Sequence, residues 1–319
     1  MNRQVSPKQV ALALGVSEAS VKRWCDQGLM SPARTAGGHR RIEVHDVVHF
    51  ARARGNPLMR ADVLGLPSVS NGGDLSAARA VQETFETLQG GDETRLLQLV
   101  LNLYLNRWSA LDIVERVLTP AWTKIGADWE NGTVQIYEER RGIELTLAVL
   151  RDLIHVLPPH AADAPIALGA TLSGESYSLP MAFGTVVLRE AGIAAENFGM
   201  GLPADAICGA ILKRQPRIVW LSVSTPGIAT EDMLTLIART SKTVGARFVL
   251  GGRALNANLA PKGAHTCASF TELVKCALEL HPSLNTDSPL SIRGSSSDSV
   301  RIELSPDTVS HARSGKTTG

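Results

Sequence analysis

The second half of the chain alternates short apolar runs with helical patterns, and this alternation limits its fold more than any other feature. Apolar runs that predict strands lie at 166–172, 194–198, 218–222 and 247–250. Segments with helical spacing follow each of them, at 181–190, 204–214, 231–240 and 270–279. Such alternation predicts a parallel sheet with helices on both faces, which we place at residues 161–281.

Loops that follow parallel strands meet at one edge of the sheet, where α/β folds bind ligands. One such loop opens the helix at Pro180, and the others follow Ser222 and Leu250. We predict ligand contacts from Glu175, Ser176, Tyr177, Ser222, Ser224, Gly251 and Gly252. The glycine pair permits close approach of a flat ring or tail, although a simple tight turn explains it equally well.

The middle of the chain has helical periodicity over 75–88, 93–106, 110–128 and 136–157. Apolar residues recur there at spacings of three and four, for example Leu96, Val100 and Leu103. This pattern predicts a four-helix bundle over residues 75–157.

The start of the chain has the pattern of a helix-turn-helix. Ser6-Pro7 opens a short helix that ends at Gly15, and Ser17 can cap a second helix. A hairpin with a Gly37-Gly38 tip and a third helix near 44–53 follow. We assign residues 1–70 to this domain.

Positive charge is concentrated in this first domain. Residues 1–60 contain ten lysines and arginines against four acidic residues, a net charge of +6, whereas the whole chain has +1. Such asymmetry indicates a polyanionic partner, duplex DNA. Base edges are within reach of Ser17, Ser20 and Arg23, and phosphates are the predicted partners of Lys22, Arg23, Arg34, His39, Arg40 and Arg41. The alternative is a solvated basic module without a nucleic-acid partner.

Residues 4–70 resemble the winged helix-turn-helix of the MerR family, on the cap, the turn and the Gly-Gly wing just described. The resemblance implies that the second helix enters the major groove and that the wing grips the DNA backbone. It also implies a two-fold symmetric operator read by a homo-oligomer, a dimer or a tetramer.

The sheet domain resembles cobalamin-binding domains of the methionine synthase type, which makes it Rossmann-like. That family has D-x-H-x-x-G, S-x-L and G-G at intervals matched here by 41 residues between Pro180 and Ser222 and 26 residues between Ser224 and Gly251. The letters differ, because Glu175 replaces the Asp, Tyr177 the cobalt-ligating His, Pro180 the first Gly and Ser224 the Leu.

The bundle is similar to the helical cap of the same proteins and of the CarH-type light-responsive repressors. In that type a Trp over the cofactor is followed ten and eleven places later by Glu-His. Here Trp129 is followed by Glu139 and Arg140, so the second family histidine is also replaced. The resemblance implies ligand contacts from Trp129, Ile136, Glu139 and Arg140, whereas taken alone Trp129 reads as a core residue at a helix end.

Together the sequence predicts a multidomain α and α/β protein with a winged helix-turn-helix, a four-helix bundle and a Rossmann-like parallel sheet. We expect a transcriptional regulator, not an enzyme, whose operator binding is controlled through ligand or light and through oligomerisation. The pocket is of the cobalamin type but lacks the axial histidine, so its occupant is another tetrapyrrole, haem or bilin, or none. Tyr177 is the weak metal-ligand candidate, since a phenolate suits ferric iron. The alternatives are a ligand-free regulator controlled by a protein partner and a corrinoid methyl carrier.

The remaining features concern the surroundings of the protein. Four cysteines without C-x-x-C spacing indicate neither a zinc site nor a disulfide framework, and a reduced cytoplasm is expected. No apolar run approaches the length of a membrane span. Residues 65–74 read as a linker, and the composition of residues 282–319 predicts a disordered tail.

Overall fold

A computed structural model describes residues 4–68 and 75–280. The predicted fold class is confirmed, since this part of the chain combines an N-terminal helix-turn-helix, a helical bundle and a parallel sheet. Residues 69–74 of the predicted linker and residues 281–319, which include the whole predicted tail, lie outside the described residues.

The first domain joins three helices to a small antiparallel sheet with the order β1-β3-β2. Its elements are β1 (Gln4–Val5), α1 (Pro7–Leu14), α2 (Glu18–Asp26), β2 (Ala33–Arg34), β3 (Arg40–Glu43) and α3 (Val44–Arg54). A 3-10 turn, Ala61–Leu64, follows and packs against α1. The hairpin β2–β3 is the predicted wing, whereas the pairing of β1 with β3 was not predicted.

Caps explain why the two helices of the turn begin and end where they do. Ser6 forms a capping box with Gln9 at the start of α1, and Gly15 ends that helix with a left-handed φ of 66°. Ser17 then caps α2 by accepting a hydrogen bond from the Ser20 amide at 3.1 Å. The predicted capping role of Ser17 is confirmed.

The bundle contains α4 (Ala77–Gly90), α5 (Glu93–Leu105), α6 (Ala110–Ile113), α7 (Thr119–Glu130) and α8 (Ile136–Val156). A π-helical segment, Val114–Leu118, joins α6 to α7 into one continuous rod. Pro120 explains it, because a proline lacks the N–H that would bond four residues back and its ring crowds that carbonyl.

The sheet domain has parallel strands in the order β5-β4-β6-β7-β8 within the described residues. The strands are β4 (Ile166–Ala170), β5 (Ala194–Asn197), β6 (Ile218–Ser222), β7 (Arg247–Gly251) and β8 (His265–Thr266). The helices are α9 (Leu179–Glu190), α10 (Ala204–Arg214), α11 (Glu231–Thr243) and α12 (Phe270–Leu278). α9 packs with α12 and α10 packs with α11, so both sheet faces are covered as predicted.

The bundle packs on the α9 side of the sheet domain. α8 and α6 both contact α9, and Glu115 accepts hydrogen bonds from the Thr271 amide and hydroxyl at 2.7 and 2.6 Å. Over the described part of the chain, no helix is long and apolar enough to cross a membrane.

Candidate functional site

The residues predicted to contact DNA lie on α2, at its N-terminal cap and on the wing. Lys22 and Arg23 are exposed on α2, and Arg34 and His39 are exposed on the wing. Lys22 forms an ion pair with Glu18 one turn earlier, at 2.9 Å. The Ser17 and Ser20 hydroxyls lie 3.0 Å apart, so the cap that starts α2 also occupies one hydrogen bond of each.

Arg40 has a structural partner that the sequence did not indicate. Its guanidinium forms an ion pair with Asp26 at 2.7 Å and donates to the Lys22 carbonyl at 3.1 Å. Arg40 therefore ties the wing to the end of α2. Arg41, the next residue on the strand, points to the opposite side of the small sheet, because side chains alternate along a strand.

Glu175 is a clamp between two loops at the carboxyl edge of the large sheet. Its buried carboxylate accepts from the amides of Ser176 and Tyr177 at 2.9 and 3.1 Å in its own loop. Across the edge it accepts from the amides of Ser224 and Thr225 at 2.6 and 3.2 Å and from the Thr225 hydroxyl at 2.8 Å. Both carboxylate oxygens are engaged within the protein, so Glu175 fixes the loop after β4 to the loop after β6.

Arg253 extends this clamp to a third loop, the one after β7. Its guanidinium lies 4.3 Å from the centre of the Tyr177 ring and its Nε donates to the Ser224 carbonyl at 3.4 Å. A cation over an aromatic face is attractive. The Tyr177 ring is thus held under an arginine that sequence reasoning had not selected, although it directly follows the glycine pair.

The glycine pair serves close packing of the loops. Gly252 has a φ of 109°, and a Cβ there would lie 2.3 Å from the Val223 carbonyl oxygen. At Gly251 a Cβ would lie 3.2 Å from the Cys267 carbonyl oxygen. The close approach that the pair permits is therefore to neighbouring backbone. Ser222 and Ser224 are both buried here, with their hydroxyls 3.4 Å apart.

The bundle extends beyond this edge of the sheet. α8 runs parallel to α9, because the ends of both helices, 154–156 and Arg189, line one cavity of about 470 Å³. α8 has 21 residues and α9 has 12. At about 1.5 Å per residue, the first nine residues of α8 project roughly 14 Å past the start of α9.

The rod from Ala110 to Glu130 also extends past the start of α9. It begins beside Glu190, the last residue of α9, and is 21 residues long. It therefore also projects about 14 Å past the start of α9. These lengths indicate that the bundle tip, where α7 ends and α8 begins, lies beyond the start of α9, the end of that helix at which the loop of Glu175 is found.

Large apolar side chains are exposed on the bundle tip and on one loop of the sheet domain. On the bundle tip Trp129 is 42% exposed, Ile136 64% and Tyr137 66%, and on the loop after β5 Phe198 and Met200 are 39% and 47% exposed. Trp129 is therefore not a core residue, which is how it would be interpreted without the motif around it. Large apolar groups clustered on a surface typically mark an interaction site.

The remaining predicted residues of the bundle tip form a polar pair. Arg140 lies 3.6 Å from Glu139, and the Arg140 side chain is largely exposed whereas that of Glu139 is mostly covered. The structure thus brings together the candidates on the sheet loops, while the candidates on the bundle form a separate group at its tip. Thr225 and Arg253 belong with the first group.

Under the loops after β6 and β7 lies a smaller cavity of about 150 Å³, lined by Val223, Gly227, Ala229, Leu234, 254–256 and Leu259. Its lining is mainly apolar. Among the described residues, no group of three or more His, Cys, Asp or Glu side chains is placed to hold a metal ion.

Two family models match parts of the chain. Residues 5–55 match a helix-turn-helix domain, and residues 80–151 match a B12 binding domain. The second match covers the bundle. The chain therefore joins a DNA-binding type of domain to a cobalamin type of domain, whereas no curated protein matches it.

A solved structure shows the same fold at low identity. This monomethylamine corrinoid protein of Methanosarcina barkeri is 13% identical with a TM-score of 0.53, over 64% of this chain and 100% of its own. Two further structures match with lower scores. A cobalamin-binding protein from Desulfitobacterium hafniense DCB-2 is 17% identical with a TM-score of 0.35, over 63% of this chain and 98% of its own. The methanol:cobalamin methyltransferase complex of Methanosarcina barkeri is 13% identical with a TM-score of 0.35, and the match covers 72% of this chain and 91% of that chain.

Proposed function

We propose that this protein is a DNA-binding transcriptional regulator of the MerR type, whose DNA binding is controlled by its cobalamin-type half. The observation that carries the proposal is the exposed basic face of α2 and the wing in the domain that matches a helix-turn-helix family. A surface of this kind has no evident use in a methyl carrier, which favours regulation over catalysis.

The test of DNA binding uses the full-length protein and a duplex selected by it from a random pool. Affinity for that duplex, measured by fluorescence anisotropy, should fall in Arg23→Ala and the preferred bases should change, because this exposed side chain on α2 is placed to read the major groove. Lys213→Ala is the matched control, since it removes one exposed positive charge from α10 in the sheet domain. Equal loss in both variants would show that charge alone, and not a reading helix, accounts for binding.

We propose that the protein binds DNA as a symmetric oligomer, a dimer or a tetramer, because one small helix-turn-helix seldom supplies enough contacts alone. Light scattering after size exclusion, with and without the selected duplex, measures the mass of the complex. A single protein chain on a duplex with only one half-site would contradict this part of the proposal.

A histidine-ligated corrinoid does not fit the clamped loops. The position of the cobalt-ligating histidine in the family is Tyr177, whose ring lies under Arg253 and whose amide donates to Glu175. The carboxylate that could orient a metal ligand is saturated by loop donors. Within these loops, as far as the structure describes them, no side chain is therefore placed to hold cobalt from this side.

The bundle tip and the sheet loops present groups that suit a flat ligand. Trp129, Ile136 and Phe198 offer apolar area, and Arg140 and Arg253 offer cations for acid groups at its rim. We infer that the ligand class is a tetrapyrrole with carboxylates, haem or bilin, in place of cobalamin.

Titration of the protein with adenosylcobalamin, haemin and biliverdin, followed by visible absorbance, tests the ligand. Haemin or biliverdin should bind, and Arg140→Ala and Trp129→Ala should weaken it, whereas Leu212→Ala, an exposed apolar residue on α10, should not. Tight binding of adenosylcobalamin that Tyr177→Phe and Arg140→Ala leave unchanged would refute the ligand assignment. Binding of none of the three would leave a regulator controlled by a protein partner.

A further inference from the structure

The three folded parts of the chain meet at Arg52 of α3, whose side chain is mostly covered. Its guanidinium lies 3.5 Å from the centre of the Tyr104 ring in α5 and donates to the Trp108 carbonyl at 3.1 Å. Its Nη1 lies 3.8 Å from Oε1 of Glu190, the last residue of α9. The side chains of Arg52 and Glu190 are 11% and 0% exposed. Arg52 is thus a residue at which the DNA-binding domain contacts both the bundle and the sheet domain, in addition to the packing of α3 against α5 and α8.

Glu190 is also bonded to the bundle. Its Oε2 accepts a hydrogen bond from the Ala110 amide, the first of α6, at 2.6 Å. This amide has no partner within its own helix, as is usual for the first turn. The protection of the Ala110 amide from solvent therefore depends on Glu190 being in place.

The ion pair at this junction is incomplete. Glu190 Oε1 and Arg52 Nη1 are both buried without a hydrogen bond, although they face each other. Removing a carboxylate from water costs free energy that Coulomb attraction returns only with good hydrogen-bonding geometry. An ionised Glu190 is consequently unfavourable in the closed junction.

Burial raises the pKa of Glu190 to about 7, against the opposing effect of Arg52 and of the Ala110 and Leu111 amides. The other titratable groups acting with it are Asp112 on α6, which raises the pKa further, and Tyr104. A hydrated glutamate has a pKa of 4.5. The closed junction therefore binds this proton more tightly than an opened, hydrated one.

The direction of the pH effect follows. The closed junction is most stable at a pH below 4.5, the pKa of Glu190 when it is hydrated. It becomes less stable as the pH rises towards about 7, the pKa of Glu190 in the closed junction. Between about pH 5 and about pH 7 the opening equilibrium should rise roughly tenfold per pH unit, and above this range it should level off.

We propose that the contact of Arg52 with Glu190 is a proton-controlled latch: with a proton on Glu190 it holds the DNA-binding domain against the bundle and sheet domain, and without it the latch opens. No other chemical change is needed, since the proton goes to solvent. The position of the DNA-binding domain then depends on pH close to neutrality.

Hydrogen–deuterium exchange of the full-length protein tests the latch, with mass-spectrometric fragmentation to resolve the Ala110 amide. After correction for the intrinsic exchange rate, the opening of this amide in the wild type should increase on the order of a hundredfold from about pH 5 to about pH 8. Glu190→Gln, which mimics the neutral acid, should keep the amide protected with a flat pH profile.

Glu115→Gln is the matched control. Glu115 likewise accepts from a backbone amide at the start of a helix, that of Thr271, and it joins the bundle to the sheet domain without touching the DNA-binding domain. In this variant Ala110 should retain the wild-type pH profile. If the opening of the Ala110 amide does not depend on pH in the wild type, the proposal is wrong. It is also wrong if Glu190→Gln keeps the pH dependence of the wild type, or if Glu115→Gln loses it.

Discussion

The substitution Glu175→Gln tests whether the clamp holds the ligand-side loops. The carboxylate receives three donors on Oε1 and two on Oε2. A glutamine presents one acceptor oxygen, so whichever way its amide is turned, its NH₂ group faces at least two N–H donors. Hydrogen bonds to a charged group are worth about 1.5–3 kcal/mol each. Because water can reach some of the freed donors, we expect a net loss of about 2–4 kcal/mol.

Urea unfolding followed by circular dichroism measures this loss as a lower midpoint with an unchanged slope. Glu196→Gln is the control in the same domain, because Glu196 pairs with the exposed Arg214 at the surface. Because this pair is exposed to solvent, its loss should hardly change the midpoint. If the two variants lose the same stability, or if Glu175→Gln loses less than about 1 kcal/mol, the clamp is not what orders these loops.

Three further predictions concern the wing and the sheet loops. Arg41→Ala should reduce the slope of log affinity against log salt by about 0.9 for each phosphate that the variant no longer neutralises, whereas Arg40→Ala should mainly lower the Tm, because Arg40 is tied to α2. Gly252→Ala should cost at least about 2 kcal/mol in urea unfolding, since its φ is one that favours glycine and its Cβ would clash with backbone. Tyr177→His should leave the visible spectrum of added hydroxocobalamin unchanged, because the backbone amide of residue 177 still donates to Glu175 and keeps the loop in place; a shift typical of histidine ligation would contradict the clamp.

Local patterns predicted the elements of this fold well. The strand predicted at 218–222 is β6, and the helix predicted at 204–214 is α10. These elements are fixed by apolar spacing and by caps such as Ser17, which act over a few residues. The short strands β1 and β8 and the π segment before Pro120 were missed, because two-residue strands carry no periodicity and a π segment looks like helix in the sequence.

The site could be predicted only in part, because its partners are distant in sequence. The motif frame placed Glu175, Ser224 and the glycine pair at one sheet edge, and the structure brings them together. The contacts of each residue could not be predicted, because the partners are far apart in the sequence. Glu175 and Thr225 are separated by 50 positions, and Tyr177 and Arg253 by 76. Periodicity says that a side chain is buried or exposed, but it does not name the partner.

The sequence predicted α9 as a helix but did not indicate what its two ends contact. Its first residue directly follows the loop of Tyr177, and its last residue is Glu190 at the latch. The helix spans about 17 Å as one rigid element, so its two ends cannot shift independently. A ligand that moved the loop of Tyr177, and α9 with it, would therefore alter the distance between Glu190 and Arg52. We expect α9 to pass such a displacement from the loop of Tyr177 to the DNA-binding domain, alongside the direct packing of α8 on α3.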